Sequence, residues 1–223
     1  MKRILGFALA ALVMVVGWQG QAQTQKKQAK TQDAVVDDPK LPRVLLIGDS
    51  ISIGYTPAVR KLLDGKANVH HNAGNSQDTK NGVAKLKEWL GTGKWDVIHV
   101  NFGLHDIKLG TGTHQVPIAE YEKNLHSILK DLKATGAKVI WCSTTPVPEG
   151  KLSPPRRNAD VIAYNAVAQK AAQEHGITIN DLYAFALPQL KEIQRPENVH
   201  FTDEGSAKLA APVADAILKA LGK

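Results

Sequence analysis

Ser50, within Gly48-Asp49-Ser50-Ile51-Ser52-Ile53-Gly54, is the residue through which this chain can do covalent chemistry. A lone hydroxyl is a poor nucleophile. It needs a base within hydrogen-bond reach, and the base needs an orienting group. His200 fits the base, and Glu197 fits the orienting group on spacing: in Pro196-Glu197-Asn198-Val199-His200-Phe201-Thr202 the carboxylate precedes the imidazole by three residues. A tight turn would set one beside the other, holding the ring's tautomer and stabilising the imidazolium as the serine proton moves. Spacing alone also allows a plainer reading, in which Glu197 and His200 decorate a helix entrance.

Five of the other histidines have plainer readings. His126 and His175 lie on or at the end of helix-like stretches with polar neighbours and read as surface residues; His99 falls inside an apolar strand and reads as core. His70 and His71 are adjacent, so on a strand they point to opposite faces and do not share a metal. No His, Asp or Glu cluster has metal-ligand spacing.

The elements that must position these groups follow from hydrophobic patterning. Strands are expected at 44–47, 67–72, 95–102, 138–144 and 177–180. Helices are expected at 56–63, 83–90, 118–134, 159–174 and 205–221, with 182–193 mixed. The 118–134 stretch carries Ile118, Tyr121, Leu125, Ile128, Leu129 and Leu132 at three-to-four spacing, and Gly136 ends it. Strands separated by helices, with no hairpin signal, imply a parallel sheet covered on both faces, hence a single-domain α/β/α sandwich of three layers with about five strands. Ser50 then lies at the carboxyl end of the first strand, where such sheets keep their ligands, and a helix N-terminus offers free N–H groups beside it.

Gly-Asp-Ser after the first strand, with an acid-x-x-His near the end of the chain, resembles the SGNH/GDSL hydrolases. The resemblance runs from Val44 to the C-terminus and implies a flavodoxin-like fold, serine esterase or acylhydrolase activity and no cofactor. Under it Ser50 matches the nucleophile and His200 the base, while Glu197 stands where the family usually has aspartate. Asn72-Ala73-Gly74-Asn75-Ser76-Gln77-Asp78-Thr79 resembles the second block, and Gln77 falls on the oxyanion-hole glycine, with Gly74 the alternative under a shifted alignment. Gly103-Leu104-His105-Asp106 resembles the third block, with His105 in place of the asparagine whose amide donates to the oxyanion. The implied oxyanion hole is therefore Ser50 N–H, Gln77 N–H and the His105 ring, whose N–H can donate one hydrogen bond. The 146–158 loop follows the fourth strand and should overhang Ser50, which makes Arg156 and Arg157 candidate contacts to an acidic substrate.

Composition and charge bound the rest. Lys2 and Arg3 precede an apolar run from Ile4 to Val16, and Gly20-Gln21-Ala22 offers small residues for cleavage, so 1–22 reads as a signal peptide. Residues 23–40 read as a flexible leader and 41–223 as the hydrolase domain, with a periplasmic or secreted location and no membrane span after cleavage. Cys142 is the only cysteine, so no intramolecular disulfide forms. The formal charge of +7 is a mild bias, and no basic block with interleaved aromatics suggests nucleic acid. The expected substrate is a small-molecule or polysaccharide ester, with deacetylation of a glycan preferred. The alternatives are a lysophospholipase or thioesterase, or a non-catalytic glycan- or phosphate-binding member of the fold.

Overall fold

Five parallel strands form the centre of the computed structural model, which describes residues 35–223: β1 (Arg43–Ile47), β2 (Asn68–His71), β3 (Val97–Val100), β4 (Lys138–Cys142) and β5 (Thr178–Asn180). They pair in the order β2-β1-β3-β4-β5. The expected signal peptide and most of the expected leader lie outside the described residues. Within the described part of that leader, Asp37 pairs with Arg43 at 2.7 Å and His70 at 2.6 Å. The Asp38 N–H donates to Asn68 Oδ1. The chain is thus tied to the edge of β2 ahead of residue 41.

Alternation along each strand divides the core in two. Leu45, Ile47, Val100 and Trp141 face α2 (Thr79–Leu90), α3 (Ile118–Ala134) and α4 (Asn158–Glu174). Val44, Leu46, Val97 and Ile140 face α1 (Ser50–Leu62), α5 (Leu182–Ala186) and α7 (Asp203–Leu221). Between α5 and α7 lie a 3-10 turn (Leu187–Gln189) and the short α6 (Leu190–Ile193). Both faces of the central strands are apolar, as a parallel sheet under two helical layers requires, and the expected three-layer architecture is borne out.

Two helices begin a turn or more earlier than periodicity suggests. α1 starts at Ser50 because the Asp49 carboxylate caps it, accepting from the Ile51 N–H at 2.9 Å. Gly54 and Pro57 lie inside it; a Cβ on Gly54 would stand 3.3 Å from Ser206 Oγ, so the glycine lets α7 pass close. α2 starts at Thr79 with Asp78 capping the Asn81 N–H, and Gly82 lies under the Phe102 ring.

Candidate active site

Ser50 is the first residue of α1, so its N–H has no helical carbonyl to bond and its hydroxyl emerges where β1 turns over. The sheet order reverses between β1 and β3, which opens the crevice that doubly wound folds use for ligands. Ser50 lines a cleft of about 540 Å³ there, with His105, Lys108, Arg156 and His200 in its walls. A second groove, of about 400 Å³, runs from the far side of Ser50 and His200 between α1 and α7.

His200 reaches the serine from a pinned loop. The Arg195 N–H bonds the His200 carbonyl, and the Thr202 N–H bonds the Ile193 carbonyl. The buried Gln194 amide donates to the carbonyls of Pro146 and Val199. Thr202 then caps α7 through the Gly205 N–H. So held, His200 Nε2 lies 2.8 Å from Ser50 Oγ. Burial lowers the His200 pKa, with Arg195 and Arg156 acting in the same direction, so the ring is neutral at neutral pH. Ser50 and His200, 150 residues apart in the chain, meet as expected.

Glu197 does not hold the ring. Its carboxylate is exposed and makes no hydrogen bond to His200; the partner of His200 Nδ1 is Asn198 Oδ1, at 2.7 Å. The reason is the turn. The Asn198 N–H bonds the Arg195 carbonyl, Pro196 takes the second position, and Glu197 takes the third with φ +49°, a type II arrangement that turns its side chain outward. Asn198 then folds over the next turn of chain. Its Oδ1 also accepts from the His200 backbone N–H at 2.9 Å, which identifies that atom as the oxygen. The Nδ1 atom must therefore carry the ring proton, leaving Nε2 as acceptor for the serine hydroxyl.

The second block is stitched to the nucleophile turn: the Gly48 N–H donates to Asn72 Oδ1, and the Ser76 N–H to the Gly48 carbonyl. Gln77 departs from its expected role. Its φ is +57°, and its N–H is already bonded to Asn75 Oδ1 at 2.8 Å, so it is not open to an oxyanion. Gly74, the alternative, is exposed with its carbonyl bonded by the Asn72 amide, and neither residue lines the cleft. Asn75 does line it, and with Oδ1 engaged its Nδ2 is left as a donor. No residue type in that stretch pointed to Asn75, because the left-handed turn that brings it there is made at a glutamine.

His105 lies in the cleft as expected. Lys108 Nζ donates to its Nδ1 at 2.8 Å, which places the neutral ring's proton on Nε2. Burial, then the charges of Lys108 and Arg156, push its pKa down to about 4, so the ring is a neutral donor at physiological pH. Asp106 clamps the third block to the second, its Oδ1 accepting from both the Thr79 N–H and hydroxyl. Arg156 is buried in the cleft wall, donating from Nε to the Leu104 carbonyl at 2.7 Å. Arg157 is elsewhere: its side chain is solvent-facing and pairs with Asp160 at the start of α4.

The family model described as GDSL-like Lipase/Acylhydrolase matches residues 46–208. No curated protein matches the chain in sequence. Solved structures share the fold. An acetyl xylan esterase superposes with TM-score 0.67 at 19% identity, covering 78% of this chain and 99% of its own. A lipase/acylhydrolase from Enterococcus faecalis gives 0.68 at 23%, covering 79% and 95%. An acetylxylan esterase from Geobacillus stearothermophilus gives 0.66 at 20%, covering 82% and 94%.

Proposed function

The chain belongs to the GDSL-like lipase/acylhydrolase family and is an ester hydrolase, and from that premise we propose that it is an exported serine esterase removing acetyl or other short acyl groups from a glycan. The observation that carries the mechanism is the 2.8 Å contact between Ser50 Oγ and His200 Nε2, with Nδ1 committed to Asn198. His200 takes the Ser50 proton as the oxygen attacks the ester carbonyl, and Asn198 holds the protonated ring in place. The Ser50 N–H, the His105 Nε2–H and the Asn75 amide hold the developing oxyanion. His200 then protonates the leaving alcohol, and water, deprotonated by the same ring, releases the acyl group.

Short acyl groups are favoured by the cleft's walls, where Lys108, Lys151 and Arg156 stand beside Ser50 and would repel an alkyl chain. The acetyl xylan esterases of this fold are consistent with a glycan substrate. Export is carried by Lys2, Arg3 and the apolar run that follows them.

Hydrolysis of nitrophenyl acetate, butyrate and octanoate tests the reading. Turnover should fall with chain length and vanish in Ser50→Ala and His200→Ala, and a fluorophosphonate probe should label Ser50 alone. A rise with chain length would favour the lysophospholipase reading; full activity in Ser50→Ala would remove the mechanism. Recovery from a periplasmic fraction of a chain beginning at Gln23 tests export.

A further inference from the structure

The guanidinium of Arg156 lies in the wall of the catalytic cleft with no counter-ion. The residue is 9% exposed. Its Nε donates to the Leu104 carbonyl and its Nη1 to the Pro154 carbonyl at 3.2 Å, and it forms no ion pair among the described residues. Asp49 is the carboxylate that acts on it, from beyond pairing distance. Two carbonyls satisfy two of its five N–H groups, and Nη2 bonds nothing in the protein. Lys108 and Lys151 line the same cleft, against one carboxylate, the exposed Glu197.

Burying an arginine without a pairing anion is unfavourable, and anchoring one carbonyl does not require a charge. What a fork of free N–H groups suits is a planar or tetrahedral oxyanion, held by two parallel hydrogen bonds. We propose that the alcohol part of the ester substrate carries an anionic group, a carboxylate or a sulfate, close to the acylated hydroxyl, and that Arg156 binds it with Lys108 and Lys151 in support. The inference rests on the esterase reading of Ser50. It makes the substrate an acylated acidic sugar rather than a neutral one. Arg156 is bonded to the backbone beside His105, so the anion would dock against the same loop that meets the oxyanion.

Three matched acetylated methyl glycosides test this: a neutral glucoside, the corresponding glucuronoside, and a sulfated glucoside, with nitrophenyl acetate as reference. In the unaltered enzyme, kcat/KM for one of the anionic esters should exceed that for the neutral ester by roughly tenfold or more, chiefly through KM, and the advantage should shrink with added salt. The favoured arm identifies carboxylate or sulfate. In Arg156→Lys, which keeps the charge and loses the fork, the anionic-to-neutral ratio should fall severalfold. Because it is a ratio within one sample, partial misfolding cancels. If Arg156→Lys does not fold at all, Lys151→Gln, on an exposed loop position, decides by the same ratio. Equal kcat/KM on neutral and anionic sugars, or a ratio unmoved by the deciding variant, overturns the anionic substrate and leaves the esterase intact. No turnover of any ester, nitrophenyl acetate included, overturns both.

Discussion

Asn198 holds the proposed base without carrying a charge, and this sets how the base titrates. A carboxylate at Nδ1 would favour the imidazolium; the amide oxygen does not, and burial with Arg195 and Arg156 lowers the His200 pKa. Activity is lost when the ring is protonated. The acid limb of kcat/KM should therefore fall at a pH below the ordinary histidine value of 6.5. Asn198→Asp should move that limb upward, Asn198→Ala should cost roughly a hundredfold in kcat, and Glu197→Gln should leave kcat near that of the unaltered enzyme. A large loss in Glu197→Gln would restore Glu197 as the orienting acid. The oxyanion donor has a similar check. His105→Ala should lower kcat by roughly a hundred- to a thousandfold, and Lys108→Met should lower it less, by freeing Nδ1 to take the proton from Nε2. Ser50 and His200 were legible in the sequence because their neighbours are fixed by type and spacing. Asn198 and Asn75 were not: each acts because the chain reverses at a left-handed residue, Glu197 or Gln77, that is not glycine and so carries no signal of its φ.

The helices that present the site are set by contacts distant in sequence, which is why their middles were legible and their starts were not. Hydrophobic spacing located α3 with no error in its bounds, since its amphipathic stripe is unbroken from Ile118 to Leu132. It missed the first turns of α1 and α2, the stretches before Thr56 and Val83 that hold Gly54 and Gly82, two glycines that only a neighbouring element explains. At Gly82 a Cβ would stand 2.7 Å from the Phe102 ring and 2.8 Å from Ile128 Cδ1, both buried. A buried ring and a buried branched side chain packed against the same spot have little room to give. Gly82→Ala should therefore destabilise the fold by about 1–3 kcal/mol despite alanine's better helix propensity, seen as a lower midpoint in thermal unfolding. Because Thr79 at the head of the same helix is bonded to Asp106, the variant should also slow turnover by loosening the second block against the third. A midpoint unchanged or raised would mean that α2 can shift away from Phe102 without cost.

Over the whole molecule, groups buried in opposite protonation states oppose one another as pH changes. Burial holds His71, His99 and His105 down to about 4, and it raises Asp49 to about 6 and Asp106 to about 7. Between about pH 4 and 6.5 the unfolded histidines bind protons that the folded ones refuse, so stability from this source rises with pH and is lost as pH falls toward 4. The acids work the other way. Folded Asp106 keeps its proton up to about pH 7 while the unfolded carboxyl releases it near 3.8, so stability from this source declines as pH rises between those values. Three histidines stand against two carboxyls, so the slopes offset only in part, and the unfolding midpoint should rise modestly with pH between about 4 and 6. Asp106→Asn separates them. An amide retains the Oδ1 that accepts from Thr79 and puts Nδ2 where Oδ2 has no hydrogen-bond partner, so the clamp survives while the titration is removed. The midpoint of the variant should then climb with pH between about 4 and 7 more steeply than that of the unaltered protein. Parallel curves would mean that Asp106 ionises at its ordinary value inside the fold, and the clamp between the second and third blocks would then be a charged one.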